Sequence, residues 1–185
     1  MSASETALRF EILKIAGGWL DMRLHVDGTS YDLTVSSVFS EPLRDLCDCL
    51  YDAVTGDTGN WANGDMPHFV FEWLGEGWLY EWKVSALAED RIRLEVGFSG
   101  NRVKGEAKYP VWNISCEVPA QHVADQVWSQ CRETIRTMGF TQYRSQWGSD
   151  FPLAQLLALR AAHSGQGKGA PVAEELDLLR ELMDG

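Results

Sequence analysis

The chain has 185 residues, 45% hydrophobic and 11% aromatic, with 16 Lys and Arg against 27 Asp and Glu, a formal net charge of −11. A chain of this length forms one domain, with or without a tail, and buries roughly two-thirds of its unfolded surface, so it needs no disulfide or metal staple. The charge excludes a nucleic-acid binder, because neutralising phosphates requires a Lys and Arg surface; an acidic protein either steers toward basic partners or uses its charge for solubility.

In chain order, Leu8, Phe10 and Ile12 alternate with Arg9 and Glu11, predicting a strand over 8–15 that Gly17 and Gly18 end. Trp19 to Phe39 reads as a hairpin closed by Asp27 and Gly28, the dipeptide that type I′ turns prefer. Closure on two residues pairs Leu24 with Tyr31, Met22 with Leu33 and Leu20 with Val35 on one face, and Arg23 with Asp32 on the other. A helix is predicted from Pro42 to Val54, with Ser40 as N-cap and Leu43, Leu46, Cys47, Leu50 and Val54 at helical spacing. Its other side aligns Asp45, Asp48 and Asp52, either a solvated face or a contact surface. Gly56 to Pro67 is a loop by its Gly, Asn and Asp punctuation, and Trp61 within it either returns to the core or acts as a binding anchor. Asp57, Asn60, Asn63 and Asp65 do not match the spacing of a calcium loop.

His68 to Ser99 carries the densest pattern. Phe69, Phe71 and Trp73 share one face of a strand, and Trp78, Tyr80, Trp82, Val84 and Ala86 share one face of the next. Gly75 and Glu76 fit a two-residue type II′ turn, which pairs Trp73 with Trp78, Phe71 with Tyr80 and Phe69 with Trp82. A three-residue loop at Glu89, Asp90 and Arg91 then sets Val84 by Val96 and Trp82 by Phe98, with Ile92 and Leu94 on the same face. The resulting ladder of rings is either a hydrophobic core or a cup around a ligand. On the opposite face Glu72 and Glu81 become diagonal neighbours among Lys83, Ser85, Arg93, Glu95, Asn113, Ser115 and Glu117, an ordinary wet surface.

Gly100 to Pro110 is locally basic through Arg102, Lys104 and Lys108, but it has no phosphate-loop pattern. Trp112, Ile114, Cys116 and Val118 mark another strand. Pro119 opens a helix to Met138 with Val123, Val127, Cys131, Ile135 and Met138 as its stripe, and Gly139 followed by Phe140 reads as its C-cap. Asp150 and Pro152 start a short helix with Leu153, Leu156 and Leu157; a flexible linker spans 164–170. Pro171 to Met183 is a last helix whose stripe is Val172, Leu176, Leu179 and Met183, widened by Leu178 and Leu182.

These elements predict an α+β fold: an antiparallel twisted sheet of about six to seven strands in the order βββ-α-ββββ-α, packed on one face by helices. Residues 1–140 would form the sheet-and-helix domain, and 141–185 a helical extension docked on it. No GxSxG elbow occurs, Cys47, Cys49, Cys116 and Cys131 lack zinc spacing, and His25, His68, His122 and His163 form no ligand pair. No cofactor or metal is therefore expected. Met1 to Glu5 lacks a secretion-signal pattern and no apolar run approaches the ~20 residues of a membrane span, so a reducing cytoplasm away from membranes is the expected location.

The Trp-led hairpin from Trp19 to Phe39, the Leu-rich helix from Leu43 to Val54, the strand Phe69 to Glu72, two further strands and the amphipathic helix from Val123 to Met138 resemble the WapI-like immunity proteins of bacterial toxin systems. The resemblance covers about residues 8–138 and lies in element order and aromatic positions. Trp73 stands where that family commonly has a proline after the strand glutamate, and the two C-terminal helices have no counterpart. The resemblance implies a cytoplasmic protein that blocks a cognate toxin by occlusion and carries no catalytic residue. The expected contact, with a basic protein partner such as an effector toxin, is Asp45, Asp48, Asp52, Glu72, Glu76 and Glu81, with Trp61 as apolar anchor. A homodimer is left open as well. The alternative is a small-molecule-binding module with an aromatic-lined cup of at least ~300 Å³ between sheet and helix; a third reading is an enzyme, which needs titratable groups converging in a pocket.

Overall fold

The computed structural model describes residues 7–55, 68–87, 90–100, 102–103, 106–107, 111–163 and 172–183. The expected α+β class and element order are present, with the seven main strands divided between two antiparallel sheets of three and four.

The first sheet has the order β1 (Leu8–Ala16), β2 (Trp19–Val26), β3 (Thr29–Ser36). Its β2–β3 turn is the expected one: Asp27 and Gly28 have φ of 47° and 83°, and Leu24–Tyr31, Met22–Leu33, Leu20–Val35 and Arg23–Asp32 are paired. In β1 the register shifts between Ile12 and Lys14. This bulge changes the phase of the alternation, so Leu8, Phe10 and Ile15 are buried while Leu13 is 47% exposed.

Helix α1 (Pro42–Thr55) follows and buries Leu43, Leu46, Cys47, Cys49 and Leu50. Ser40 does more than precede it, because its Oγ accepts the Leu74 N–H at 2.8 Å and ties the helix entry to the second sheet. Glu41, at the same entry, accepts hydrogen bonds from Trp147 Nε1 and Ser149 Oγ, both at 3.1 Å.

The second sheet contains β4 (His68–Leu74), β5 (Leu79–Ala86), β6 (Arg91–Ser99) and, after the short ribbon β7 (Arg102–Val103) and β8 (Glu106–Ala107), β9 (Trp112–Pro119), in the order β4-β5-β6-β9. Here the expected registers are corrected. Trp73 pairs with Tyr80, Phe71 with Trp82 and Phe69 with Val84, leaving residues 75–78 as the connection instead of Gly75 and Glu76 alone. The positive φ belongs to Gly77, at 100°. Trp78 leaves the strand because it has better partners elsewhere: it stacks on Trp19 at 5.9 Å and donates to the Thr34 carbonyl at 2.8 Å. Its indole lies over Gly75, where a Cβ would come within 2.0 Å of Trp78 Cε2. Between β5 and β6 the observed pairs are Val84–Leu94, Trp82–Val96 and Tyr80–Phe98. Both corrections are slips of two residues, an even number, so every inward ring stays inward.

Helix α2 (Ala120–Trp147) passes through Gly139, whose φ of 69° and ψ of 168° break the helical path. Gly139 has the left-handed φ expected of a C-cap, but the helix resumes beyond it and ends only at Gly148, whose N–H returns to the Arg144 carbonyl at 2.9 Å. The stretch added beyond Gly139, about two turns, buries Tyr143 and Trp147 and carries the element across residue 140. Helices α3 (Leu153–His163) and α4 (Val172–Met183) complete the chain. Arg160 links them to α2, reaching Asp125 at 3.2 Å and Glu181 at 2.6 Å with its guanidinium 5.2 Å from the Trp128 ring centre. The stripe of α4 is also corrected: Leu178 and Leu182 face inward, while Leu176 and Met183 are about half exposed.

One hydrophobic cluster joins both sheets and the helices. Leu8, Phe10, Leu46, Leu50, Trp82 and Val127 meet around a void of about 10 Å³, so among the described residues the aromatic face packs closely against α1 and α2 there. The free edge of β1 is covered by α2. Gln126 and Gln130 accept the N–H groups of Phe10 and Ile12 at 2.6 and 2.9 Å, and the Gln126 amide donates to the Leu8 carbonyl at 2.7 Å. The fit follows from geometry, since four residues of helix rise ~6 Å and two residues of strand rise ~6.7 Å.

Candidate functional site

The outer face of the second sheet is polar. Lys83 lies 3.8 Å from Glu95, and Arg93 binds Glu117 at 2.6 Å. Glu72 and Glu81 stand directly opposite one another on β4 and β5. Both are exposed, and among the described residues neither has a cation partner. Beyond Glu81 the row continues through Gly97 and Asn113, so no long side chain stands beside Glu81 along that row.

Backbone directions sharpen this arrangement. The Gly75 N–H points to β5, where it meets the Trp78 carbonyl at 3.0 Å, whereas the Leu74 N–H points away and meets Ser40. Alternation then directs the N–H and C=O groups of Val70 and Glu72 away from β5. Two consequences follow. Glu72 and Glu81 form a non-hydrogen-bonded pair, the position where cross-strand side chains approach most closely, with Cα atoms ~4.5 Å apart. And β4, whose one sheet neighbour among the described residues is β5, presents the main chain of Val70 and Glu72 as an open edge there.

The expected contact residues therefore fall into two groups. Glu72 and Glu81 come together, with Glu76 exposed in the connection at the end of the same hairpin. The α1 acids do not join them. Asp45 accepts a hydrogen bond at 3.1 Å from the indole of Trp73, an inner-face residue, so α1 lies on the other side of β4 from Glu72. Burial raises the Asp45 carboxyl above its ordinary value, the Trp73 hydrogen bond only partly opposing it; burial also raises Asp48, which stays exposed, and Asp52 is half-buried. Trp61, with Asp57, Asn60, Asn63 and Asp65, lies outside the described residues, as do Lys104, Lys108 and the linker 164–170.

Two features were not anticipated. The β3–α1 turn exposes Val38 (72%) and Phe39 (59%), and a groove of about 350 Å³ is lined by Lys14, Ala16, Trp19, Asp21, Thr34 and Trp78. The Trp19–Trp78 stack shows no periodicity signal because the rings come from a strand end and a turn in different sheets. On the first sheet, Ser30 Oγ lies 2.8 Å from His25 Nδ1, and His25 Nε2 lies 2.9 Å from Glu11, which also pairs with Arg9. A serine, imidazole and carboxylate in line invite a nucleophile reading, yet they lie on an open sheet face, and they line neither that groove nor a second of about 350 Å³ between β1 and α2 around Ile12, Gln130 and Met138. The chain is a cross-strand polar ladder that holds β1, β2 and β3 in register.

All four cysteines are free and buried. A hydrogen bond with Cys131 and then burial push the Cys47 thiol well up, burial raises Cys49, and burial raises Cys116 to about 11, each shift favouring the protonated thiol. Among the described residues no group of three His, Cys, Asp or Glu could hold a metal ion, and no helix is long and apolar enough to cross a membrane.

No protein-family model, curated protein or solved structure matches this chain. The likeness to WapI-like immunity proteins rests on element order, and the function must be argued from the surface itself.

Proposed function

We propose that the chain is a non-catalytic cytoplasmic binding protein that occludes a basic protein partner through the outer face of its β4–β5 hairpin. In the form the resemblance implies, the partner is a bacterial toxin and the chain its immunity protein. The supporting observation is the opposition of Glu72 and Glu81 with no cation partner among the described residues. Like charges in that position cost the isolated sheet ~0.2–1 kcal/mol, and a Lys or Arg delivered by a partner turns repulsion into attraction of ~4 kcal/mol per close pair before desolvation and screening. Carboxylates that engage the basic groups with which a toxin holds its substrate would block it without chemistry.

The experiment is coexpression with, and binding to, the purified product of a toxin gene flanking this one. Relief of growth inhibition is expected from the wild type and from Asp48→Lys, but not from Glu72→Lys/Glu81→Lys, and binding weakens as salt rises. Full protection by the double reversal, or no binding by the wild type, overturns the reading.

A further inference from the structure

Resting on that reading, we propose how the partner docks: an extended basic segment adds as a fifth strand to the free edge of β4, with a Lys or Arg opposite Glu72. The main chain makes the case first. Val70 and Glu72 direct two N–H donors and two C=O acceptors away from β5, and among the described residues nothing receives them. The edge ends at Leu74, whose outward N–H is held by Ser40, so the added strand pairs over residues 68–72 only.

Both edges of the first sheet already carry intramolecular contacts. The first sheet's β1 is covered by Gln126 and Gln130, and Thr34 of β3 has its N–H bound to Tyr80 Oη at 3.2 Å and its carbonyl to Trp78. An open edge is an invitation to strand addition, in which the backbone gives affinity and alternate side chains give selectivity.

Side chains then select the occupant. On the outer face, an incoming residue opposite Glu72 lies next to two unneutralised carboxylates, because Glu81 is the next residue along the row. The residue opposite Val70, which is 56% exposed, meets an apolar β-branched side chain. The segment selected is an apolar residue and a Lys or Arg two positions apart. A second copy of this chain suits the edge less well, since each copy carries −11 and brings its own Glu72.

The test uses the full chain and a seven-residue acetylated peptide, Thr-Val-Thr-Lys-Thr-Val-Thr, with two companions: the same peptide with Glu for Lys, and one N-methylated at alternate amides. The Lys peptide is expected to shift and protect the Val70 and Glu72 amides in NMR, and each companion to bind at least about tenfold more weakly. Val70→Pro removes an outward N–H that makes no internal bond, which an edge strand tolerates, and is expected to weaken the Lys peptide by a similar factor. Equal binding of the N-methylated and parent peptides, or unchanged binding by Val70→Pro, overturns strand addition; if Glu72→Lys/Glu81→Lys still abolishes binding in that case, the acidic-surface reading survives. Should light scattering show a dimer that Val70→Pro dissociates, the edge belongs to a second copy and the proposal falls.

Discussion

Trp73 and Trp82 lie with ring centres 4.3 Å apart, both almost wholly buried, yet their N–H groups differ. Trp73 donates to Asp45; Trp82 Nε1 has no acceptor among the described residues, and the void beside it is apolar, without the further polar groups a water would require. Replacing either with Phe removes the same volume, but at Trp73 it strands a half-buried carboxylate, and at Trp82 it removes an unsatisfied donor. Trp73→Phe is therefore expected to cost ~1–3 kcal/mol more than Trp82→Phe in urea unfolding; equal costs would contradict this. Asp45 supplies the pH counterpart. Its folded-state pKa is raised by burial above the ordinary 3.8, so the stability it contributes is present below that value and is lost as pH rises through the raised one. Asp45→Asn keeps an acceptor for Trp73 and is expected to raise Tm at pH 7.5, with the gain shrinking as the pH falls toward 4. A gain of the same size at both pH values would show that charge burial is not its source.

Elements succeed or fail here by how their edges and faces are closed. The glutamines of α2 act as a surrogate strand for β1, and Gln126 serves two of its backbone groups. Gln126→Ala is expected to cost ~1–3 kcal/mol and to speed exchange of the Phe10 amide, measured by hydrogen exchange, with Ile12 less affected because Gln130 still holds it. Such a role is invisible to periodicity, since a glutamine beside a helix's apolar stripe usually reads as surface. In α4 the inward face is Leu178 and Leu182, because Arg160 on α3 takes Glu181 and sets the rotation of the helix. Two overlapping apolar stripes satisfied helical spacing equally, and one ion pair at a packed surface decided between them.

At the scale of the whole molecule, the C-terminal helices are part of the core. Phe151, Leu156, Leu159 and Leu182 belong to the same buried cluster as both sheets. At ~1.5–3 kcal/mol each, removing four such side chains costs about as much as the 5–15 kcal/mol by which a domain is stable. A chain truncated after residue 149 is expected to lose its cooperative thermal transition, while the full chain unfolds in one; a truncated chain that melts normally would show the extension to be an appendage.

What could be read from the residues alone was whatever depends on neighbours along the chain. The β2–β3 hairpin came with its register because Asp27 and Gly28 admit one turn, and the inward rings of β4, β5 and β6 came with their face because strand side chains alternate. The absolute register of β4 on β5, the pairing of Glu72 with Glu81, the separation of Asp45 from them and the opening of the β4 edge could not be read that way. Each depends on a group distant in sequence, Thr34 and Trp19 drawing Trp78 out of the strand, Ser40 holding Leu74, Trp73 holding Asp45. Local periodicity places a side chain on a face, but contacts that close only when the chain has folded decide what stands beside it.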